Sequence, residues 1–246
     1  MRGEFIDLSG QRVYYYAAGS RGAGDPIVLI HGFPTSSHLW LDVVAKLPPG
    51  HRIVVLDLLG FGRSDAPVGA DYTIGGHGER LVRLLDALRI DRAVIVGHGT
   101  GGAIALWAGL TIPERVTRLV LIGSSTSEGW FSRERPAARM FYDLMLRAPA
   151  AIWKPIIRGS IARSYSDPER GKRSAEMYLA PFAEGDGARV LRKHLADLDP
   201  ASIAAIRDRA AQIKVPMFSS PPSPWRFMPE ENPSETAAVI RRALAG

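Results

Sequence analysis

The chain has 246 residues, 46% of them hydrophobic, enough for one sizeable core and consistent with a single α/β domain over residues 1–246. It contains no cysteine, which excludes disulfides, thiolate metal sites and a cysteine nucleophile. The net charge of +6 comes mostly from scattered arginines, and the densest basic stretch, 158–173, is broken by Asp167 and Glu169. It reads as a solvated face, so no nucleic-acid partner is expected.

The first twelve residues, MRGEFIDLSGQR, are polar, and later apolar runs are interrupted well before the roughly 20 residues that a membrane span needs. A cytoplasmic protein with no membrane partner is the expectation. EFIDLS and RVYYYAAG predict an antiparallel pair of strands. PIVLIHG (26–32), HRIVVLD (51–57), RAVIVGHG (92–99) and RLVLIGSS (118–125) are continuous apolar runs, the pattern of parallel strands buried on both faces. SSHLWLDVVAKL, HGERLVRLLDAL and TGGAIALWAGL between them carry apolar residues at helical spacing and predict crossover helices. The fold class is therefore α/β, a mostly parallel sheet with helices on both faces.

From 126 to 200 the alternation stops, and the helical spacing of segments such as MFYDLMLRAPAAIWKPII predicts a helical lid inserted between two strands. Alternation resumes with ASIAAIRDRAAQI as helix and KVPMFSS as a short strand. The last helix is well specified: Asn232 can cap it, Pro233 suits its first position, and Glu235 supplies the carboxylate of a capping box.

Chemistry concentrates at VIVGHGTGGAIALWAGL, where a buried strand meets an apolar helix through Gly97, His98, Gly99, Thr100, Gly101 and Gly102. So many glycines imply a sharp turn with close helix–strand packing. One reading is a nucleophile elbow with position 99 as the nucleophile. The other is a dinucleotide loop, since Gly97, Gly99 and Gly102 match G-x-G-x-x-G. The second needs an acidic residue closing the following strand, and that strand ends in Gly123, Ser124 and Ser125. No cofactor is expected.

HGFPTSSHLW (31–40), DLLGFGRSDAP (57–67) and PERVTRLVLI (113–122) then decide for the elbow. In order and spacing they resemble the α/β-hydrolase superfamily, in its branch of haloalkane dehalogenases, epoxide hydrolases and related ester and carbon–carbon hydrolases. The resemblance covers roughly 18–122 and 203–246. It implies an oxyanion hole from the backbone N–H groups of Phe33 and Thr100. In the dehalogenases these two positions usually bear the Asn and Trp side chains that hold the halide, which Phe33 and Thr100 do not reproduce.

The family's catalytic triad is not readable. At the nucleophile position stands Gly99, which has no side-chain atom with which to attack. Thr100 is no replacement, because its side chain is expected to point away from the nucleophile's place. Aligned on the last helix, Arg226 stands where the general-base histidine belongs; no histidine follows His194 and no aspartate follows Asp208. The acid loop, a helix and a strand of the C-terminal region are missing, so the C-terminal strand–helix part is shortened. An acid displaced toward Ser124 is not supplied either, Glu128 coming about four residues too late.

His31, Trp40, His98, Trp130 and Phe131 are candidate pocket-lining residues. For His31 the reading is a hydrogen-bonding role in the oxyanion loop, for His98 packing, and for Asp57, Ser64 and Asp65 structural turn roles. His38 and His77 fall on predicted helices; no pair has metal-ligand spacing with a carboxylate, so no metal is expected. Phe141, Tyr142 and Trp153 read as lid core or pocket cover. Three functions stay open: a hydrolase relative that has lost its chemistry, a non-hydrolytic enzyme of the epimerase, cyclase or lyase type, or a protein that binds a small apolar molecule in the pocket. A hydrolase with relocated residues is the fourth.

Overall fold

The computed structural model describes residues 3–20, 22, 24–124, 140, 143–221 and 227–245. Trp130, Phe131, Phe141, Tyr142, Glu128 and Arg226 lie outside them. Seven strands form one sheet: β1 (Gly3–Asp7), β2 (Arg12–Ala18), β3 (Ile27–Ile30), β4 (Ile53–Leu56), β5 (Ala93–His98), β6 (Val116–Ile122) and β7 (Met217–Ser219), in the order β1-β2-β4-β3-β5-β6-β7. β1 pairs with β2, and β2 with β4, antiparallel; every other pairing is parallel. Every residue of β3, β4 and β5 is buried. That follows from their unbroken apolar runs, because a parallel strand has helices over both faces and no polar side to offer water.

The helices are α1 (Leu41–Val44), α2 (Ile74–Ala87) and α3 (Thr100–Thr111) before β6, then α4 (Ala150–Ala162), α5 (Pro168–Leu179), α6 (Gly187–Asp197) and α7 (Pro200–Asp208) before β7. α8 (Met228–Glu231) and α9 (Pro233–Ala245) follow it. No described helix is long and apolar enough to cross a membrane. The first crossover is shorter than its sequence predicts, a 3-10 turn at Ser37–Trp40 followed by the four residues of α1. Ser37 N–H is drawn to the Asp57 carboxylate at 2.6 Å, and Pro48 and Pro49 stop any continuation.

Among the described residues the sheet ends at β7, a three-residue edge strand with Met217 44% exposed. The chain returns from it to α8 and α9. Pro233 opens α9, and Asn232 Oδ1 accepts from Glu235 N–H at 3.2 Å. The reciprocal bond differs from an ordinary capping box: Glu235 Oε2 accepts from the Asn232 side-chain amide (2.7 Å), because Asn232 N–H is already given to Met228 O of α8. Asn232→Ala is expected to lower stability by about 1 kcal/mol, read from the urea midpoint at unchanged slope.

Candidate functional site

β5 turns into α3 through Gly99, at φ 55° and ψ −120°. A side chain is strained in this conformation, and glycine relieves it. The flanking glycines answer a different demand, that of space. A Cβ on Gly97 would stand 2.2 Å from Gly101 O, and one on Gly101 would stand 2.4 Å from Ile30 O and 2.5 Å from His31 O. At Gly99 an added Cβ would meet only Gly32 Cα, at 3.7 Å. The position therefore has room for the side chain that it lacks.

The end of β3 lies directly over this turn. Gly32 permits it, since a Cβ there would come within 2.7 Å of His98 O and 3.2 Å of Thr100 N. The Thr100 hydroxyl accepts from Phe33 N–H at 2.9 Å, so one of the two expected oxyanion donors is already engaged by the residue that carries the other. The Thr100 side chain is thus directed at the Phe33 loop, which sequence reasoning missed. The N–H of Thr100 itself, in the first turn of α3, has no intrahelical acceptor.

His31 is completely buried, with Nε2 accepting from Leu58 N–H (2.9 Å) and Nδ1 3.0 Å from Gly32 O. That pattern requires the neutral ring with its proton on Nδ1. Burial holds its pKa below the usual value, against the pull of the Asp57 charge. Asp57 is itself held at both oxygens: its carboxylate accepts from Ser37 N–H and from Arg63 N–H (2.9 Å). Its carbonyl accepts from the Ser64 hydroxyl (2.6 Å), which in turn receives Tyr14 N–H (2.9 Å). Asp65 pairs with Arg12 at 3.1 Å. These groups brace the loops after β3 and β4.

Trp40 and His98 are buried and meet edge to face at 6.5 Å, beside the elbow. His77 is buried on α2, where desolvation pushes its pKa down to about 3. Trp130, Phe131 and Arg226 fall outside the described residues. A groove of ≈ 620 Å³ lies elsewhere, between α5 and the 38–42 segment, lined by His38, Asp42, Arg170, Arg173 and Glu230 among others; it includes none of the pocket residues named from the sequence. Among the described residues no cluster of three His, Asp or Glu side chains is placed to hold a metal.

Two buried polar contacts, neither foreseen from the sequence, join the helices between β6 and β7 to the rest. On one side Glu230 of α8, 4% exposed, accepts from the Ser174 hydroxyl at 2.7 Å and from the Tyr178 hydroxyl, both on α5. Glu231 accepts from Ser166 N–H at 2.7 Å, and Phe227 stacks on Tyr165 at 4.7 Å. On the other side His194 of α6 enters a socket between Phe61 and Tyr72, with centroids at 4.1 and 4.0 Å. The signal for His194 was its spacing: it continues the buried face of Val190 and Leu191.

Comparison with known proteins agrees with this fold. The family described as alpha/beta hydrolase fold matches residues 25–152, more than half of the chain. The chain is 41% identical over 107 residues to 2-hydroxymuconate semialdehyde hydrolase of Pseudomonas sp. strain CF600, covering 42% of this chain and 38% of that protein. It is 30% identical over 188 residues to cis-3-alkyl-4-alkyloxetan-2-one decarboxylase of Shewanella oneidensis, covering 72% and 57%. Among solved structures, Cfl2 from Burkholderia cenocepacia superposes with a TM-score of 0.75 at 25% identity, over 98% of this chain and 95% of that one. The matches to curated relatives span only 34% to 57% of those proteins' own lengths.

The contrast between the elbow glycines gives a direct check. Gly99→Ala is expected to fold and to lose about 1–3 kcal/mol to backbone strain. Gly101→Ala forces a carbon onto two carbonyl oxygens and is expected to lose more than Gly99→Ala, both read by urea unfolding; equal losses would show that the close approach is not a constraint.

Proposed function

The chain belongs to the alpha/beta hydrolase fold family, and from that premise we propose that it has given up nucleophilic hydrolysis at the elbow and uses the site to hold a small, mainly apolar carbonyl compound. The observation that carries this reading is Gly99: the residue at the turn between β5 and α3 has the backbone of an elbow and no atom with which to attack. Within the 246 residues no histidine follows His194, which is consistent with this reading.

What remains suits binding. The Thr100 N–H and the Thr100 hydroxyl, whose oxygen is fixed by Phe33 N–H, form an oxyanion-hole-like receptor for a carbonyl oxygen. In this reading residues 126–200 are a cap over that receptor, Trp130 and Phe131 contribute to its lining, and the protein works in the cytoplasm on a small molecule, without cofactor, nucleic acid or membrane. A non-hydrolytic enzyme is the second reading. It is favoured by the similarity over 72% of the chain to a protein named as an oxetanone decarboxylase, a bond-breaking reaction other than simple ester hydrolysis.

The test is turnover of p-nitrophenyl butyrate, styrene oxide and 1-bromobutane by the purified protein. The expected rate is that of buffer, while 2-hexanone raises the melting temperature of the unmodified protein and less so that of Thr100→Val. Turnover above buffer that Thr100→Val reduces tenfold or more would place an active hydrolase at this elbow and end the binding reading.

A further inference from the structure

Among the described residues His194 is buried with both ring nitrogens lacking a hydrogen-bond partner. It is 0% exposed, it comes from α6, and it is inserted into residues more than a hundred positions away in sequence. Phe61 and Tyr72 flank it at 4.1 and 4.0 Å, and His77 lies parallel to it at 6.0 Å. Phe33 and Phe182 close the socket at 6.5 Å. Gly60 makes the room, because a Cβ there would stand 2.3 Å from His194 Nε2. Nε2 faces the Gly60 backbone, yet neither ring nitrogen makes a hydrogen bond of normal geometry. Burying an imidazole in this way is costly.

A phenyl ring would fill the same space without that cost, so the feature that distinguishes His194 is its ability to take a proton. We propose that His194 is a latch that seats α6 in its socket at neutral pH and releases it on acidification, lifting this edge of the helical layer from the body. Only the consequence for ligand entry rests on reading residues 126–200 as a cap; the latch itself does not.

Burial is the largest influence against a charge on the seated ring, and the Gly60 backbone contact works in the opposite direction. Tyr72 and His77 face it from the segment around α2, with Arg80 and Asp71 behind them, and His31 approaches from the end of β3. On α6 itself Lys193 is tied to Asp197 at 2.6 Å, and Asp197 also accepts Tyr72 N–H at 2.8 Å. The Gly60 and Phe61 turn, Phe33 and Phe182 bring no titratable group. Burial and the neighbouring imidazoles therefore hold the His194 pKa well below its usual value. The seated ring is neutral, and the exposed ring binds a proton below about pH 6.5. Seating is complete above that pH and weakens about tenfold for each pH unit below it. α5, held separately through Glu230, Ser174 and Tyr178, keeps its place while α6 moves.

The experiment is amide hydrogen exchange on the full chain at pH 7.5, 6.5, 5.5 and 4.5, each rate divided by its intrinsic chemical rate. Protection of the α6 amides and of Tyr72 N–H is expected to fall about tenfold per unit below about pH 6.5, with β5 amides unchanged as the internal reference. In His194→Phe, a non-titrating ring in the same socket, α6 protection is expected to be flat across this range. His194→Gln provides the same test, with a flat and lower protection, if the phenylalanine variant does not fold. A flat profile in the unmodified chain overturns the latch. A wild-type slope retained in the variants also overturns it, because a group other than His194 then carries the pH dependence. Neither readout depends on what the elbow binds.

Discussion

The turn between β5 and α3 is pressed against the end of β3 so closely that backbone touches backbone, and the rest of the site follows from that contact. Position 101 faces the Ile30 and His31 carbonyls, and position 32 faces the His98 carbonyl and Thr100 N; neither tolerates a Cβ. With the two loops in contact, Phe33 N–H reaches the Thr100 hydroxyl. His31 and Asp57 are then fixed from behind by backbone donors. The geometry of an elbow is built by these steric constraints, not by the side chain at position 99. It can therefore persist when that side chain is reduced to hydrogen, and glycine is the residue that the backbone there accepts with least strain.

Among the described residues β7 is the edge of the sheet, and the C-terminal region supplies, in Phe227, Glu230 and Glu231, a platform for α5. The carboxylate of Glu230 is buried but accepts from two hydroxyl groups, which is the condition under which burial of such a group is tolerated. α6 is fastened by His194 in an aromatic socket, a contact of packing with little hydrogen bonding. The two seams thus differ in kind: one is a hydrogen-bonded carboxylate, the other an imidazole held by rings.

Much of this was legible in the sequence, for physical reasons. Continuous apolar runs identify strands covered on both faces, and all four such runs are strands here. The glycines of the elbow announce a close approach before its partner is known. Asn232, Pro233 and Glu235 mark the start of the last helix, although the detail that Glu235 bonds the Asn232 side chain depends on α8, which uses up the backbone donor. The His194 socket was not legible. Its walls, Gly60, Phe61 and Tyr72, lie far off in sequence, and a single histidine on an apolar helix face carries no local sign of what it meets. The partner of the Thr100 hydroxyl was not legible for a similar reason, since it is a backbone N–H in another loop. Arg226, Trp130 and Phe131 stand outside the described residues, so the sequence remains the only ground for them.

The most direct measurement of the central claim is a 13C spectrum of the unmodified protein with a butyl trifluoromethyl ketone labelled at its carbonyl carbon. Such a ketone captures an activated side-chain nucleophile as a covalent hemiketal and otherwise stays a ketone or its hydrate. The expected result is a bound carbonyl signal perturbed by the Thr100 donors, with no hemiketal carbon and no change in protein mass. A hemiketal resonance that disappears on denaturation would contradict it, because it would reveal a nucleophile poised at an elbow whose own residue is Gly99.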